Sequence, residues 1–332
     1  MKSPITGKEM KLSYEWREVP FRKESFKIPF QFYKCENSGE QFTTTTVDEV
    51  NMLRLYTQYR AKHHIPLPEE IKAMREKYEV KASRMGEILG FGPNTYAQYE
   101  KGDLPTMANA NLLKIAKDPA KFLTLVNDWE PISAKAKTDL IQRIKRLISE
   151  KDSLFVNLEN YLMGGIEPDE YTGYKNPDYK KLTELIVFFA QNVPCYKTKM
   201  NKLLFYVDFV MYREHGRSVG GTKYKAIPYG PVPNSFESIF ESLAKQNVIN
   251  ILYEELPEGG QKQFLEGRKD RPFNKDLFSD DELSILEMVS EKFKNTKPYE
   301  IVELSHRESA WLENEHSRSF ISYHYAMDLK AV

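Results

Sequence analysis

The fold of the C-terminal half is decided by the stretch Lys199-Met-Asn-Lys-Leu-Leu-Phe-Tyr-Val-Asp-Phe209, which follows an apolar run over residues 182–190. These two runs predict consecutive apolar helices, the second of them rich in aromatic residues. Asp208 lies among apolar neighbours in the second helix. We expect it to be a buried hydrogen-bonding group, satisfied by Arg217 or by the backbone around Tyr229, rather than a catalytic acid.

Downstream of these helices, glycines, prolines and tyrosines follow in a characteristic order. They are Gly216-Arg217-Ser218, Gly220-Gly221, Tyr224 and Ile227-Pro-Tyr-Gly-Pro-Val-Pro233. The whole series (K-L-L-x-x-x-D-F, then G-R-S, then Y-x-A-x-P-Y-G-P-V-P) resembles the Panacea domain, also called SocA-like. The resemblance covers about residues 178–325.

The Panacea resemblance implies a mostly α-helical domain that commonly serves as the antitoxin part of bacterial toxin–antitoxin pairs. Some relatives act instead as adaptors that hand a toxin to a protease. A cognate protein toxin is therefore the expected partner. Aromatic anchors tend to dominate interface energetics, and a rigid aromatic loop suits such a contact. The residues expected to contact the toxin are Tyr229, Gly230, Pro231, Tyr224 and Arg217.

Residues 71–119 carry the pattern of a helix-turn-helix bundle. Apolar periodicity predicts helices over residues 71–78 and 81–89, and Pro93 suits the first position of a third helix. Gly90 suits the left-handed residue that closes the second helix.

The run Gly90-Phe-Gly-Pro-Asn-Thr-Tyr-Ala-Gln-Tyr-Glu-Lys-Gly102 resembles the Xre-type helix-turn-helix, in particular that of the MqsA antitoxins. That family also carries an N-terminal zinc domain with two knuckles. The resemblance covers about residues 1–128 and implies operator DNA as a second partner. The chain departs from the family pattern at Gln98, where arginine is usual, and at Lys81-Ala82, where a Ser/Thr-Gln pair is usual.

The third helix offers side chains suited to reading DNA. Asn94 and Gln98 lie one turn apart, and their amides can pair bidentately with adenine in the major groove. Nearby cations can neutralise phosphates and fix the register. The expected DNA-binding residues are Asn94, Thr95, Gln98, Lys101, Lys72 and Arg75. The alternative is a helix-turn-helix that is kept only as a scaffold.

The N-terminus has the outline of two zinc knuckles with most of their cysteines replaced. Ser3-Pro-Ile-Thr-Gly7 follows the pattern C-P-x-C-G, and Cys35-Glu-Asn-Ser-Gly39 follows C-x-x-C-G with one cysteine left. Zinc needs about four thiolate or imidazole ligands. The period-two run of Phe26, Ile28, Phe30 and Phe32 indicates a half-buried strand. The sequence therefore predicts a ribbon without metal, in which packing by Trp16, Phe26, Phe30 and Phe32 replaces the metal. The alternative is a chance match of two glycine-containing turns.

Residues 134–163 predict one or two amphipathic helices with a heptad-like apolar seam. Its members are Leu140, Ile144, Leu147, Lys151, Leu154, Leu158 and Tyr161. Such a seam packs on another helix, either in a homodimer or within the same chain. A homodimer would suit a helix-turn-helix protein that reads two half-sites.

Composition limits the remaining possibilities. Lys+Arg and Asp+Glu both number 48 in 332 residues, so DNA binding must rest on local charge rather than on net charge. Two cysteines far apart in sequence favour a reducing compartment. The sequence shows no secretory signal and no apolar run of membrane-spanning length, which predicts a cytoplasmic protein. Catalytic and cofactor motifs are missing as well, so we expect no enzyme, cofactor or metal site.

The predicted fold is mainly α. Its parts are a β ribbon without metal over residues 1–46, a helix-turn-helix domain over 47–128, a helical linker over 129–177 and a Panacea domain over 178–332. A cut between residues 164 and 177 is expected to separate a DNA-binding fragment from a toxin-binding one.

The predicted function is that of a type II antitoxin. The Panacea domain would neutralise a toxin by direct binding, and the helix-turn-helix would repress the shared operon. The alternatives are a DNA-binding transcriptional regulator or a proteolytic adaptor that is not paired with a toxin.

Overall fold

The computed structural model describes residues 1–131, 133–150, 154–165, 167–255 and 261–332, without the side chains of residues 150 and 154–157. The chain divides into two compact units. One, which we call the composite unit, comprises Met1–Thr57 and Glu159–Val332. The other, the central unit, comprises Gln58–Leu158. These limits differ from the four predicted segments, because the N-terminal ribbon belongs to the same unit as the C-terminal half.

A three-stranded antiparallel ribbon opens the composite unit. Its strands are β1 (Lys11–Phe21), β2 (Glu24–Lys34) and β3 (Gln41–Phe42), in the order β1-β2-β3. The period-two prediction for β2 is confirmed: Phe26, Ile28 and Phe32 are buried on one face and Phe30 is half-buried. The guanidinium of Arg17 covers the ring of Phe30 at 4.1 Å on the same face.

The opposite face of the ribbon packs against the C-terminal end of the chain. The Tyr14 hydroxyl donates to Asp328 at 2.6 Å, and the rings of Trp16 and His324 lie 4.7 Å apart. Tyr14 and Trp16 are two residues apart in β1 and so point to the same side. These contacts join elements about 300 residues apart in sequence and explain why the ribbon is no separate domain.

Helix α1 (Thr45–Lys62) adds a buried arginine to this junction. Arg54 donates to the carbonyl oxygens of Pro29 at 2.9 Å and of Arg213 at 2.5 Å. Arg213 lies in the last turn of a helix whose C-cap is Gly216. A cation near that end satisfies terminal carbonyl groups and favours the helix dipole. Burial lowers the pKa of Arg54 to about 10, which leaves it charged at neutral pH.

The described residues of the central unit form helices and the loops that connect them. Its helices after α1 are α2 (Pro68–Lys77), α3 (Ala82–Ile88), α4 (Thr95–Glu100), α5 (Met107–Lys117), α6 (Pro119–Asp128) and α7 (Ala134–Glu150). Helices α2 and α3 overlap the predicted ranges 71–78 and 81–89, whereas the third helix begins at Thr95 rather than at Pro93. Asn94 is the N-cap and adopts a left-handed conformation with φ 64°, which leaves Pro93 outside the helix.

The rest of the composite unit is a helical domain with two small hairpins. Its elements are α8 (Leu154–Met163), α9 (Tyr179–Asn192), α10 (Lys197–His215), β4 (Tyr224–Ile227), β5 (Gly230–Pro233), α11 (Phe236–Lys245), β6 (Ile249–Glu255), β7 (Gln261–Gly267), α12 (Asp280–Phe293), α13 (Pro298–His306) and α14 (Ser309–Leu312). Helix α10 is buried on all sides between residues 199 and 212, so it is the central helix of this core.

The last part of the predicted linker, residues 164–177, is packed into this core for much of its length. Thr172 and Lys175 are buried, and the carbonyl oxygen of Gly173 accepts from the backbone N–H of Ser218 at 3.1 Å. A β-carbon on Gly173 would lie 2.8 Å from that of Ser218. This stretch therefore cannot serve as a free hinge, although its glycines and prolines suggested one.

Candidate functional site

An exposed tyrosine stands at the tip of the β4–β5 hairpin. Ile227 pairs with Gly230 across the turn, so Pro228 and Tyr229 form a two-residue loop. The side chain of Tyr229 is on the surface, with 70% of the residue exposed. The two residues that follow it, Gly230 and Pro231, are buried. The hairpin thus presents one aromatic ring from a base embedded in the core.

Three side chains from the surrounding helices hold the backbone at the base of this turn. Trp311 Nε1 donates to the carbonyl oxygen of Ile227 at 2.8 Å, and Lys202 Nζ donates to that of Pro231 at 2.9 Å. His306 stacks on Trp311 with ring centroids 3.9 Å apart, which helps to fix the indole that donates to Ile227. Because the anchors lie on α10, α13 and α14, the conformation of the loop is set by the core.

Lys202 is fully buried beneath the turn, and burial lowers its pKa to about 7. Gly230 leaves the space that this lysine needs. Its φ is +93°, and a β-carbon there would lie 2.7 Å from Lys202 Cε and 2.5 Å from Ser305 Oγ. Glycine at this position is therefore required both by the backbone conformation and by the close approach of α10 and α13.

Two other predicted contact residues are less exposed than Tyr229. Tyr224 is buried, and its hydroxyl donates to Asp208 Oδ2 at 2.8 Å. Arg217 is half-buried. The prediction that Asp208 is a buried hydrogen-bonding group is confirmed, but its predicted partners were wrong. Its Oδ1 accepts from the backbone N–H groups of Val219 and Gly220 at 2.8 and 3.1 Å. Burial nevertheless raises the pKa of Asp208 above its usual range.

The family model described as "Antitoxin SocA-like, Panacea domain" matches residues 200–312. This is about a third of the chain, which we call the Panacea segment. It contains Lys202, the Tyr229 turn and Trp311. No curated protein matches the chain. The match supports the predicted antitoxin role for the Panacea segment. The ribbon and the helix-turn-helix lie outside it.

In the central unit, α4 exposes most of the side chains predicted to read DNA. Asn94, Gln98 and Lys101 are exposed and Thr95 is half-buried. On the opposite side of α4, Tyr96 is buried and its hydroxyl donates to the carbonyl oxygen of Ile71 at 2.8 Å. The helix is therefore amphipathic, and its amide side chains face outward.

The two predicted phosphate-binding residues of α2 differ in their surroundings. Arg75 Nε donates to Glu100 Oε1 at 2.5 Å, so this arginine ties α2 to the end of α4. The hydrogen bond to Glu100 raises the pKa of Arg75. Lys72 remains exposed and lies 3.9 Å from Glu76. Arg75 is thus a link within the bundle, which reduces its suitability for a phosphate contact.

The four knuckle positions of the ribbon converge on a single point. The Thr6 hydroxyl lies 3.3 Å from Cys35 Sγ. Hydrogen bonds from Ser38, then from Thr6 and Ser3, lower the pKa of Cys35 to about 6. Three hydroxyls and one thiol do not suit zinc. Among the residues that the structure describes, no three His, Cys, Asp or Glu side chains form a metal-ligand set. The metal-free ribbon stays a prediction.

The seam predicted for a homodimer is partly used within the chain. Leu140 and Ile144 of α7 are buried in the core of the central unit, together with Val126 of α6. Lys151 and the side chain of Leu154 lie outside the described residues. Leu158 and Tyr161 on α8 are exposed. The first half of the seam therefore packs on its own unit, and the homodimer stays a prediction.

None of the described helices is both long and apolar enough to cross a membrane.

Proposed function

We propose that this chain is the antitoxin of a bacterial type II pair and that it neutralises its toxin by direct binding through the Panacea segment. The match over residues 200–312 is the observation that carries this proposal. Neutralisation needs no chemical step, since a complementary surface that covers the active site of the toxin is sufficient. We expect it to act in the cytoplasm, where such toxins act.

Tyr229 is the contact residue that we propose for this surface. An exposed ring on a rigid base loses little conformational entropy when it binds, so more of the contact energy appears as affinity. The hydrogen bonds from Lys202 and Trp311 to the two ends of the turn support this role. Half-buried Arg217 is kept as a second proposed contact residue, whereas buried Tyr224 is proposed only to support the hairpin.

Growth rescue tests the proposed neutralisation. The neighbouring gene, if toxic when expressed alone, should be neutralised by the full chain. We expect Tyr229→Ala to weaken binding of that toxin by about 2 kcal/mol, or roughly thirtyfold, as for an aromatic anchor. Tyr253→Ala is the matched control, because Tyr253 is also a tyrosine in a hairpin with 58% of its surface exposed. If both variants bind the toxin equally well, the toxin contacts a surface other than the Tyr229 turn.

We further propose that α4 binds operator DNA and that the chain represses its own operon. The outward Asn94 and Gln98 side chains support base reading, and exposed Lys101 supports phosphate contact. Gln98→Ala should reduce the preference for the operator by roughly 1–3 kcal/mol and leave binding to random DNA unchanged. Lys101→Ala should weaken binding to every sequence and flatten its salt dependence. If the wild-type chain does not bind its own promoter at low salt, α4 serves only as a structural part of the bundle.

A further inference from the structure

Strand β6 has an open edge. It pairs with β7, and within the described parts of the chain no other strand or backbone group pairs with it. On the far side of β7, by contrast, the backbone N–H of Leu265 donates to the carbonyl oxygen of Cys195 at 2.8 Å. Alternate residues of β6 therefore direct their backbone N–H and C=O groups away from β7. Residues 252–255 of this strand are exposed.

The side chains of β6 do little to protect this edge. Leu252 and Tyr253 are exposed and, as neighbours in a strand, point to opposite faces of the sheet. The first five residues, 249–253, contain neither a charge nor a proline. Edge strands are usually protected by such residues. The long edge strand β1 follows that rule, with Lys11, Glu15, Arg17, Glu18 and Pro20. The apolar edge of β6 is thus suited to pairing with another strand.

The sequence of β6 is complementary to itself in one antiparallel register. If a twofold axis passes through Leu252, this residue faces its own copy. Tyr253 then faces Ile251 of the second copy, and Asn250 faces Glu254 of the second copy. Aromatic and β-branched side chains stabilise each other across strands, and an amide can donate to a carboxylate. The two copies of Glu254 lie four residues apart along the strand, about 13 Å, so like charges do not meet.

This register also extends an apolar row across the sheet. Leu252 lies opposite Phe264 of β7, and Tyr196 packs on the Phe264 ring with centroids 5.3 Å apart. The Tyr196 hydroxyl donates to Glu254 at 2.7 Å, which holds that carboxylate beside the row. Two copies would align Phe264, Leu252, Leu252 and Phe264 on one face of four strands. Moving the axis to Tyr253 would instead place Leu252 opposite a glutamate, so the axis at Leu252 is favoured.

We propose that β6 forms a homodimer, in which two copies pair antiparallel about Leu252 into a four-stranded sheet of order β7-β6-β6-β7. A twofold interface uses the same surface on both copies, which suits a strand that is complementary to itself. Four strands are also more stable than an isolated hairpin. One strand pair buries less than the about 1,200 Å² of a stable interface, so we expect a dissociation constant of roughly 10 μM. The dimer does not depend on toxin or DNA binding.

Sedimentation velocity of the full chain tests the assembly. The wild type should pass from monomer to dimer between about 1 and 100 μM. Leu252→Lys places two ammonium groups opposite each other at the axis, so it should weaken the dimer at least about tenfold. Leu312→Lys is the matched control and should dimerise like the wild type, because Leu312 is 46% exposed, against 47% for Leu252, and lies outside β6. Both variants should keep the wild-type Tm, since both positions are on the surface.

Cysteine cross-linking tests the register independently of any loss of stability. Residues directly opposite in antiparallel strands have Cα atoms about 4.5–5.5 Å apart, which suits a disulfide. After oxidation by diamide, Leu252→Cys should therefore form a covalent dimer. Glu254→Cys is the control in the same strand and should stay monomeric on a denaturing gel, because its copy lies about 13 Å away. The natural Cys35 and Cys195 are buried, so the wild type should cross-link little.

Several results would overturn the proposal. A wild-type chain that is still monomeric at about 100 μM has no such dimer. If Leu252→Lys dimerises as well as the wild type, another surface, such as the seam on α7 and α8, forms the dimer. Equal cross-linking of Leu252→Cys and Glu254→Cys would contradict the register. If the wild type is monomeric and Leu252→Lys loses toxin neutralisation, β6 pairs with a strand of the toxin instead.

Discussion

The Lys202 amine under the Tyr229 turn is held by a carbonyl oxygen rather than by a carboxylate. Burial alone lowers its pKa from 10.5 to about 7, so the unfolded chain binds more protons than the folded one between these values. Under this condition stability rises as pH rises. The lysine therefore destabilises the fold most below pH 7, where both states are protonated, and this cost declines towards pH 10.5.

We predict that the free energy of unfolding depends on pH through Lys202. Between pH 7 and 9 the wild-type protein should gain roughly 2 kcal/mol relative to Lys202→Met, because only the wild type releases the proton in its folded state. Urea unfolding at pH 7, 8 and 9 measures the difference. Lys269→Met, at an exposed position, is the control and should follow the wild-type curve. Parallel curves for wild type and Lys202→Met would mean that Lys202 has its ordinary pKa.

Single residues also show what the sequence could and could not predict. The burial of Asp208 followed from its apolar neighbours in one helix. Its partners did not, since Val219 and Gly220 approach it through the path of the loop after α10. Arg75 was predicted to bind phosphate, but its partner Glu100 lies 25 residues away. The sequence shows that a charged side chain is present, but the partner with which it pairs is set by the tertiary structure.

At the scale of elements, two helix-associated glycines have opposite requirements. Gly86 lies inside α3, and a β-carbon there would meet Tyr96 Cβ at 3.7 Å, an ordinary contact. Glycine costs conformational entropy in a helix, and this site has room for a methyl group. We predict that Gly86→Ala stabilises the protein by roughly 0.5–1 kcal/mol. A rise in the midpoint of thermal unfolding of the central unit measures it, and a lower midpoint would show that the helices cannot accept the methyl.

Gly216 is the opposite case. It follows α10 with φ +70°, and a β-carbon there would lie 3.1 Å from Arg54 Cα and 3.2 Å from Arg54 N. These are backbone atoms of α1, which cannot rotate away. We predict that Gly216→Ala destabilises the protein by about 2–4 kcal/mol, from the left-handed conformation and the overpacking together. Chemical denaturation measures it. A loss below about 1 kcal/mol would mean that α1 moves away from α10 at little cost.

The helices and strands themselves were largely predictable from the sequence. Periodicity located β2 and the helices of the bundle because each buries one regular face. The start of α4 was missed by two residues, since Pro93 suits a first helical position but Asn94 takes the left-handed conformation. Element ends depend on such single-residue conformations, which composition does not reveal.

At the scale of the whole molecule, the sequence did not predict how the chain divides into two units. The sequence predicted one boundary after residue 46 and a cut between residues 164 and 177. The ribbon nevertheless belongs with the C-terminal half through Tyr14, Trp16 and Arg54. Contacts across 300 residues leave no local trace in a single sequence. The match over residues 200–312 therefore covers only part of the unit in which the Panacea segment folds.

The last prediction follows from this composite unit. A fragment over residues 178–332 lacks the ribbon, the carbonyl-capping Arg54 and the packed stretch that contains Thr172 and Gly173. Removing residues 1–177 leaves the Arg213 carbonyl oxygen, His324 and Asp328 without the partners that they have in the full chain. Each buried polar group left unpaired costs roughly 1–3 kcal/mol. We predict that this fragment alone neutralises the toxin poorly and exchanges its α10 amide hydrogens much faster than the full chain does.

Expressing the two parts of the composite unit as separate chains tests whether the fragment fails because these contacts are missing or because the chain is too short. Residues 159–332 co-expressed with residues 1–57 contain the whole composite unit and should recover both neutralisation and amide protection. Residues 159–332 co-expressed with an R54M form of 1–57 should recover less, because methionine cannot cap the end of α10. Full growth rescue by residues 178–332 alone would instead mean that the Panacea region is self-sufficient. The ribbon would then be an accessory that packs on a domain already folded without it.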